Sequence, residues 1–143
     1  SIGLLSSDEI KSGLIFDPIK NEMFYAEKDN GAFFNNERIR VSKKNELSEC
    51  LFAIGGKKYD SINEISTRKS GCAALDLAYV ASGRYDGYCQ SNLNLWDIAA
   101  GLIIIKEAGG VINDIDLNNH KNLNVIASSP NINDKFIKKI SNF

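Results

Sequence analysis

The sequence predicts an α/β protein, α+β overall, in which an antiparallel meander is followed by an α/β/α layer with a mixed sheet. Three observations support this class: short alternating segments between turns fill residues 1–45, Ala-rich and apolar segments with helical spacing follow, and strand-like runs flank those helices. We therefore expect two units, residues 1–45 and 46–143. A chain of 143 residues, 43% of them hydrophobic, can bury a sizeable core without disulfides.

The first unit is predicted to contain five short strands. Turn-forming residues separate them, as at Asp17-Pro18 and Asp29-Asn30-Gly31. Apolar and polar side chains alternate from Met23 to Ala26, which is typical of antiparallel strands with one buried face. The predicted strands are Ser1–Leu5, Ser12–Ile19, Glu22–Glu27, Ala32–Asn35 and Arg38–Ser42.

The second unit alternates predicted strands with predicted helices. Apolar residues recur at helical spacing, and Gly83 and Gly109 stand where a glycine commonly ends a helix. This alternation favours helices that cover a mixed sheet. The predicted helices are Gly71–Gly83, Trp96–Ala108 and Asn133–Ser141, and the predicted strands are Cys50–Gly55, Tyr85–Gln90, Val111–Ile115 and Leu123–Ser128.

The composition leaves several functional classes without support. Seventeen Lys and Arg nearly balance 18 Asp and Glu, and no basic run exceeds two residues, so nothing indicates direct binding to nucleic acid or an anionic membrane. The longest apolar stretch, Ala99–Ile105, is far shorter than the ~20 residues of a membrane span, which predicts a soluble protein. Three cysteines without CxxC spacing fit a reducing cytoplasm.

Asp97 is the carboxylate that the pattern singles out. It follows Trp96 at the predicted start of an apolar helix, where the helix dipole and unpaired N–H groups favour an anion. One interpretation is that Asp97 only caps the helix. The alternative is a ligand for a hard cation such as Mg²⁺, which takes oxygen donors from one or two protein carboxylates.

The run Ser70-Gly71-Cys72-Ala73 is a second candidate, because its small residues precede a helix. Exposed backbone N–H groups there would suit a phosphate or a sugar hydroxyl, and an ordinary helix start is the alternative. Cys72 as a nucleophile would have to recruit His120, the single histidine, so this reading is disfavoured.

The remaining reactive side chains are interpreted as structural or solvated. Cys50 and Cys89 lie in strand-like runs and are expected to be buried, whereas His120 lies in a polar turn and is expected to be solvated. No glycine-rich phosphate loop is present, which disfavours nucleotide hydrolysis and dinucleotide redox chemistry. Structural or local roles are expected for Asp76, Asp86 and Glu107.

Three ordered stretches resemble the inositol monophosphatase family, the lithium-sensitive, Mg²⁺-dependent sugar and inositol phosphatases that include bacterial SuhB-type proteins. The meander Ser12–Ser42 and the run RKSGCAALDLAYVASGRYDGY at Arg68–Tyr88 are two of them. The third and most specific is WDIAAGLIIIKEAGG at Trp96–Gly110, which is similar to the family signature W-D-x-A-A-G followed by E-A-G-G. The resemblance implies the C-terminal portion of the inositol monophosphatase/sugar phosphatase fold.

The resemblance also implies roles for individual residues. In the family, the Asp after the signature Trp coordinates a catalytic Mg²⁺ near the scissile phosphate, which assigns that role to Asp97. Gly71, Cys72 and Ala73 align with the segment that contacts the substrate ring. Gln90 stands where many members carry a Glu that hydrogen-bonds substrate hydroxyls; the amide keeps hydrogen-bonding capacity but has no charge.

The sequence departs from the family pattern in two ways. The other acidic metal ligands of the family lie in an N-terminal half that has no counterpart here, and the chain opens without an initiator Met or a signal-peptide pattern. We therefore expect a fragment that is inactive alone, because a site with several metal ions cannot be assembled from Asp97 alone. In addition, residues 57–67 are shorter than the corresponding family segment.

By resemblance, the intact parent is expected to be a cytoplasmic Mg²⁺-dependent phosphomonoesterase that hydrolyses an inositol phosphate or a related sugar phosphate. Fructose 1,6-bisphosphate and 3′-phosphoadenosine phosphates are the alternative substrates. The alternative function is a non-catalytic SuhB-like protein that contacts the transcription machinery. Association as a homodimer is expected through an exposed edge and apolar face of the meander.

Overall fold

The computed structural model describes residues 1–56, 59 and 65–141. Within those residues the chain forms two five-stranded sheets and three α-helices. Two helices lie between the sheets, and the third covers the outer face of the second sheet. This layering confirms the predicted combination of an antiparallel meander and a mixed sheet covered by helices.

The first sheet is a meander in which each strand pairs antiparallel with the next. The prediction of a strand to Ser42 is wrong beyond Arg38, because the Val41 N–H leaves the sheet and donates to the carbonyl of Ala108. Similarly, the second strand ends at Asp17, whose Oδ1 accepts from the N–H of Ile19 in the following turn. The strands are β1 (Ile2–Ser6), β2 (Glu9–Asp17), β3 (Glu22–Glu27), β4 (Gly31–Phe34) and β5 (Glu37–Arg38).

The second sheet is mixed and has the order β7-β6-β8-β10-β9. Its strands are β6 (Leu51–Gly55), β7 (Ser66–Arg68), β8 (Gly87–Leu93), β9 (Val111–Ile112) and β10 (Leu123–Ser128). Strand β6 is parallel to both β7 and β8, whereas β10 is antiparallel to β8 and β9. Strand β9 is shorter than predicted because the side chain of Asn113 accepts from the Ile126 N–H at 2.6 Å, in place of a backbone partner.

The helices are α1 (Ala73–Ala81), α2 (Leu95–Glu107) and α3 (Asn133–Ser141). Helix α2 packs against α1 and lies across β1, β2 and β3 of the meander. Helix α3 packs on the other side of the second sheet, where Phe136 stacks on Phe52 with ring centroids 4.4 Å apart. The sequence predicted α3 with its observed bounds and the other two helices to within two residues at either end.

Glycines bring the meander close to α2. A methyl group added at Gly13 would lie 2.7 Å from the Cα and carbonyl oxygen of Ala100 and from Cγ2 of Ile103. Real Cβ atoms essentially never come this close, so only a residue without a Cβ fits there. The sheet therefore contacts the backbone of α2 directly.

Glu107 corrects one prediction. We expected a local role, but its carboxylate accepts from the N–H groups of Asp29 at 3.0 Å and Gly31 at 2.8 Å, in the turn between β3 and β4. The last residue of α2 thus holds a turn of the meander. The division of the chain at residue 45 stays a prediction.

Two other expectations concern the shortened segment 57–67 and the absence of a membrane-spanning helix. Most of the shortened segment 57–67 lies outside the described residues, and its last two described positions begin β7, a strand that was not predicted. Among the helices described, none is long and apolar enough to cross a bilayer.

Candidate functional site

The parallel strands place the candidate residues at one edge of the second sheet. Because β6, β7 and β8 run in the same direction, their carboxyl ends meet at one edge. Helix α1 follows β7, and α2 follows β8, so both helices begin there. Ligands commonly bind in the crevice outside the carboxyl ends of parallel strands.

Asp97 lies in the first turn of α2 and is half-buried. Its Oδ2 accepts from the backbone N–H of Asn94 at 3.1 Å and from the side-chain amide of the same residue at 3.3 Å. The Oδ1 atom has no hydrogen-bond partner among the described residues. Asp97 therefore does cap the helix, and this cap orients the carboxylate while one oxygen stays available.

Gly71, Cys72 and Ala73 form the entry into α1. Gly71 and Cys72 are exposed, and Gly71 has a φ of +80°, a left-handed conformation that glycine adopts without strain. The Cys72 N–H donates to the hydroxyl of Ser70 at 3.0 Å. No side chain caps the first turn of α1, so the N–H groups that begin at Ala73 can serve a ligand oxygen.

Gln90 is half-buried on β8. The hydroxyl of Tyr88 donates to its Oε1 at 2.7 Å. Across the parallel pair, Gly55 lies opposite Gln90, and a methyl group added at Gly55 would overlap the Gln90 amide. The Gln90 side chain thus lies directly over the bare backbone of Gly55.

Tyr88 connects the predicted residues. Its ring is fully buried, and burial raises the pKa of its phenol far above the ordinary value. Negative charge at Asp76, and to a smaller extent at Cys89, Cys72 and Asp97, raises this pKa further. Cys72 and Asp97 therefore lie within electrostatic reach of the phenol that donates to Gln90.

Asp76 is a feature that the sequence reading underestimated. A structural or local role is expected for it from the sequence, and it is only 2% exposed, with no hydrogen-bond partner for Oδ1 among the described residues. Burial raises its pKa to about 6, and a hydrogen bond from Ser70 opposes this rise. This buried carboxylate, whose charged form is disfavoured by burial, lies in the first turn of α1.

Sequence reasoning also missed Asn94 and Tyr88. The spacing of Asn94 and Asp97 is that of a capping pair, N-cap and third helical residue, so this contact was available from the sequence. By contrast, Tyr88 stands two residues before Gln90 on one strand face, and only the structure shows that their side chains meet.

Within the described part of the chain, Cys72 and His120 are not hydrogen-bonded to each other. His120 is exposed, as expected, and its backbone carbonyl accepts from the N–H of Leu95 at the start of α2. Cys50 and Cys89 are buried, also as expected, and burial raises the pKa of Cys50 to about 11.

The donor set suits a hard cation at one position. Asp97 offers an oriented carboxylate oxygen, and oxygen is the donor atom that Mg²⁺ prefers. Over residues 1–56, 59 and 65–141, no three His, Cys, Asp or Glu side chains converge on a metal site. Within the described residues, Asp97 is therefore not part of a cluster of three or more such ligands.

Comparisons with known proteins identify the family of the chain. The model of the inositol monophosphatase family matches residues 1–143. The chain is 41% identical over 99% of its length to the Thermotoga maritima protein named fructose-1,6-bisphosphatase/inositol-1-monophosphatase, covering 59% of that protein. It is 35% identical over 98% of its length to the Haemophilus influenzae protein named Nus factor SuhB, covering 58% of it.

Solved structures share the fold. The crystal structure of the extragenic suppressor protein SuhB from Bartonella henselae superposes with a TM-score of 0.89 at 39% identity, over 97% of this chain and 62% of that one. The chain spans about three fifths of the length of these relatives. Because the family model matches residues 1–143 and the fold is shared with these structures, the chain belongs to the inositol monophosphatase family.

Proposed function

We propose that this chain supplies part of the active site of a Mg²⁺-dependent phosphomonoesterase that acts on an inositol phosphate or a related sugar phosphate. The observation that carries the proposal is the Asp97 carboxylate, oriented by Asn94 through Oδ2 and available at Oδ1. It lies at the sheet edge that also carries the open first turn of α1. Family membership supports the phosphatase class.

Each candidate residue has a role in this proposal. Asp97 would hold the cation through Oδ1, and Mg²⁺ when bound would supply Lewis-acid stabilisation and lower the pKa of a coordinated water. The backbone at Gly71, Cys72 and Ala73 would bind ligand oxygens with N–H groups, which the dipole of α1 strengthens toward anions. Gln90 would contact the ring of the substrate. Fructose 1,6-bisphosphate and 3′-phosphoadenosine phosphates remain the alternative substrates.

A Mg²⁺ titration followed by tryptophan fluorescence tests the metal ligand. Trp96 is the single tryptophan, is 60% exposed and precedes Asp97, so its emission reports on that carboxylate. We expect a saturable change in the wild-type chain and its loss in Asp97→Asn. Asp134→Asn is the matched control, because Asp134 also lies in the first turn of a helix but on α3. An equal response in Asp97→Asn contradicts the assignment.

Phosphate release from inositol monophosphate tests the fragment expectation separately. Because Asp97 is one ligand of a site that needs more, the 143-residue chain is expected to release little or no phosphate. Mg²⁺-dependent release that Asp97→Asn abolishes would support the phosphatase and refute the expected inactivity. Release that is unchanged in Asp97→Asn would refute the role of Asp97.

The second candidate function is a SuhB-like contact with the cytoplasmic transcription machinery. It rests on relatives named Nus factor SuhB and on the large exposed indole of Trp96. Capture of transcription factors by the immobilised chain, undiminished in Asp97→Asn, would favour this function over catalysis. Loss of capture in Trp96→Ala would locate the contact.

A further inference from the structure

We propose that Tyr88 is a positioning residue that, together with Gly55, holds Gln90 with its carbonyl inward and its amide N–H groups outward. Position 90 then offers hydrogen-bond donors to an acceptor oxygen of the ligand, such as that of a second phosphate. This inference rests on the proposed function for the identity of the ligand. The orientation itself rests on the contacts of Tyr88, Gln90 and Gly55.

The hydroxyl of Tyr88 determines which end of the amide faces inward. Tyr88 is fully buried, and Gln90 Oε1 is its one hydrogen-bond acceptor among the described residues, at 2.7 Å. If the amide were reversed, the phenol oxygen would accept from Nε2 and its own proton would lack an acceptor. A buried donor without a partner destabilises the folded state, so the inward carbonyl is favoured.

Among the residues that the structure describes, no other acceptor takes the phenol proton. The nearby Asp76 carboxylate has its Oδ1 without any hydrogen-bond partner, so that oxygen does not accept from Tyr88. The phenol also keeps its proton, because burial and then the charge of Asp76 raise its pKa. Tyr88 is therefore a permanent donor toward Gln90.

The missing side chain of Gly55 leaves room for the carbonyl end of the amide. A methyl group at Gly55 would overlap Oε1 and would lie 2.8 Å from Cγ of Gln90, so any side chain there would displace the amide. The Nε2 atom of Gln90 has no hydrogen-bond acceptor within the described residues and is not fully buried, so its N–H groups face the accessible side. The hydroxyl of Tyr88 therefore holds the carbonyl oxygen of the amide, and the amide nitrogen faces the accessible side.

The orientation has a consequence for ligand choice. A carboxylate at position 90 would add negative charge and offer only acceptors. The outward amide instead offers two donors and no charge, which suits an anionic or unprotonated oxygen. We therefore expect Gln90 to tolerate a ligand with a second anionic group better than a Glu at the same position would.

The orientation can be measured directly, because Gln90 is the single glutamine of the chain. Glutamine labelled with ¹³C at Cδ and ¹⁵N at Nε2 gives one carbonyl signal and one NH₂ pair in the full chain. We expect Tyr88→Phe to move the carbonyl signal upfield and to leave the NH₂ protons nearly unchanged. A shift of an NH₂ proton with an unmoved carbonyl signal would overturn the orientation. Tyr25→Phe, on the meander, is the matched control.

Ligand choice is tested by titrating the same labelled chain, in Mg²⁺, with fructose 1,6-bisphosphate and with myo-inositol 1-phosphate. We expect Gln90→Glu, followed through the Trp96 indole signal, to lower the ratio of the affinity for the bisphosphate to the affinity for myo-inositol 1-phosphate about tenfold or more. An unchanged ratio in Gln90→Glu overturns the specificity. If neither probe moves the Gln90 or Trp96 signals, the proposed function and the ligand preference both fail for this chain, whereas the Tyr88→Phe result still decides the orientation.

Discussion

The two sheets differ in how their strands are connected, and the candidate site lies on only one of them. In the meander, β1 to β5 pair in sequence order through short turns. In the second sheet, β6 and β8 are parallel, so the chain between them crosses over through α1. The parallel arrangement brings strand ends and helix starts to one edge, where Gln90, Asp97 and the entry into α1 lie. The meander contributes none of the predicted site residues and instead packs against α2.

Because of this difference in strand connection, we expect the two sheets to have different roles. The strands of the antiparallel sheet are joined by short local turns. This sheet packs against α2 and thereby stabilises the helix that carries Asp97. The mixed sheet needs long connections, and these connections begin with helix N-termini that can bind anions. The following predictions test this separation, in order of expected effect.

The largest effect is expected on the outer face of the second sheet, away from the candidate site. Phe136 is fully buried and stacks on Phe52, so Phe136→Ala should lower the free energy of unfolding by about 3–5 kcal/mol. Urea denaturation measures this loss. Lys138→Ala, at an exposed position of α3, is the control and should change stability by less than about 0.5 kcal/mol. Equal losses in the two variants would show that α3 does not hold the sheet.

The next effect concerns Asp76, at the site edge of the second sheet. Because burial raises its pKa to about 6, the folded state holds its proton more tightly than the unfolded state, and stability falls as pH rises from about 4 to 6. Asp76→Asn removes this penalty. We expect its stability relative to wild type to increase by about 2–3 kcal/mol between pH 4 and pH 7.

Thermal or urea unfolding across this pH range measures the relative stability. Asp134→Asn, at an exposed position, should follow the wild-type curve throughout. Parallel curves for Asp76→Asn and wild type would contradict the raised pKa.

A smaller effect is expected where the meander meets α2. Gly13→Ala places a methyl group 2.7 Å from the backbone of Ala100, so we expect a loss of about 1–3 kcal/mol in the free energy of unfolding. Ser12→Ala changes the neighbouring residue, whose side chain points to the opposite face of the strand, and should be nearly neutral. A neutral Gly13→Ala would show that the meander is free to move away from α2.

The smallest effect on stability is expected at the outer face of the meander, where self-association is predicted. Ile2 and Leu4 on the edge strand β1 are 70% and 58% exposed, which favours pairing with a second copy. Leu4→Lys should change stability by less than about 0.5 kcal/mol and should shift sedimentation from dimer to monomer. Ile19→Lys adds the same charge in a turn and should leave the dimer intact. A wild-type chain that sediments as a monomer at high concentration refutes the prediction.

The sequence predicts the meander well because its signals are local. Turn residues and alternating side chains lie next to each other in the chain, so five strands could be recognised, with errors mainly at their ends. Strand β7 was not predicted because Ser66–Arg68 shows no alternation of apolar and polar side chains. The strand forms by pairing with β6. The bounds of α3 follow from its strong amphipathic pattern.

For the candidate site, the sequence indicates candidate residues, but it does not indicate how their side chains are held. The signature around Asp97 marked that carboxylate, and the spacing to Asn94 was readable as a cap. The contact between Tyr88 and Gln90, the burial of Asp76 and the reach of Glu107 to Gly31 depend on distances between side chains after folding. No local pattern encodes these distances.

Helix α2 joins the two sheets at fixed points, which restricts how the gene can change in length. Asp97 in its first turn and Glu107 at its last residue are ten positions apart, about 15 Å along a helix that rises 1.5 Å per residue. Inserting one residue between them would turn one carboxylate by about 100° relative to the other. The turn held by Glu107 and the oxygen presented by Asp97 could not then both keep their places. Insertions and deletions are therefore expected to be tolerated in surface connections and eliminated from α2.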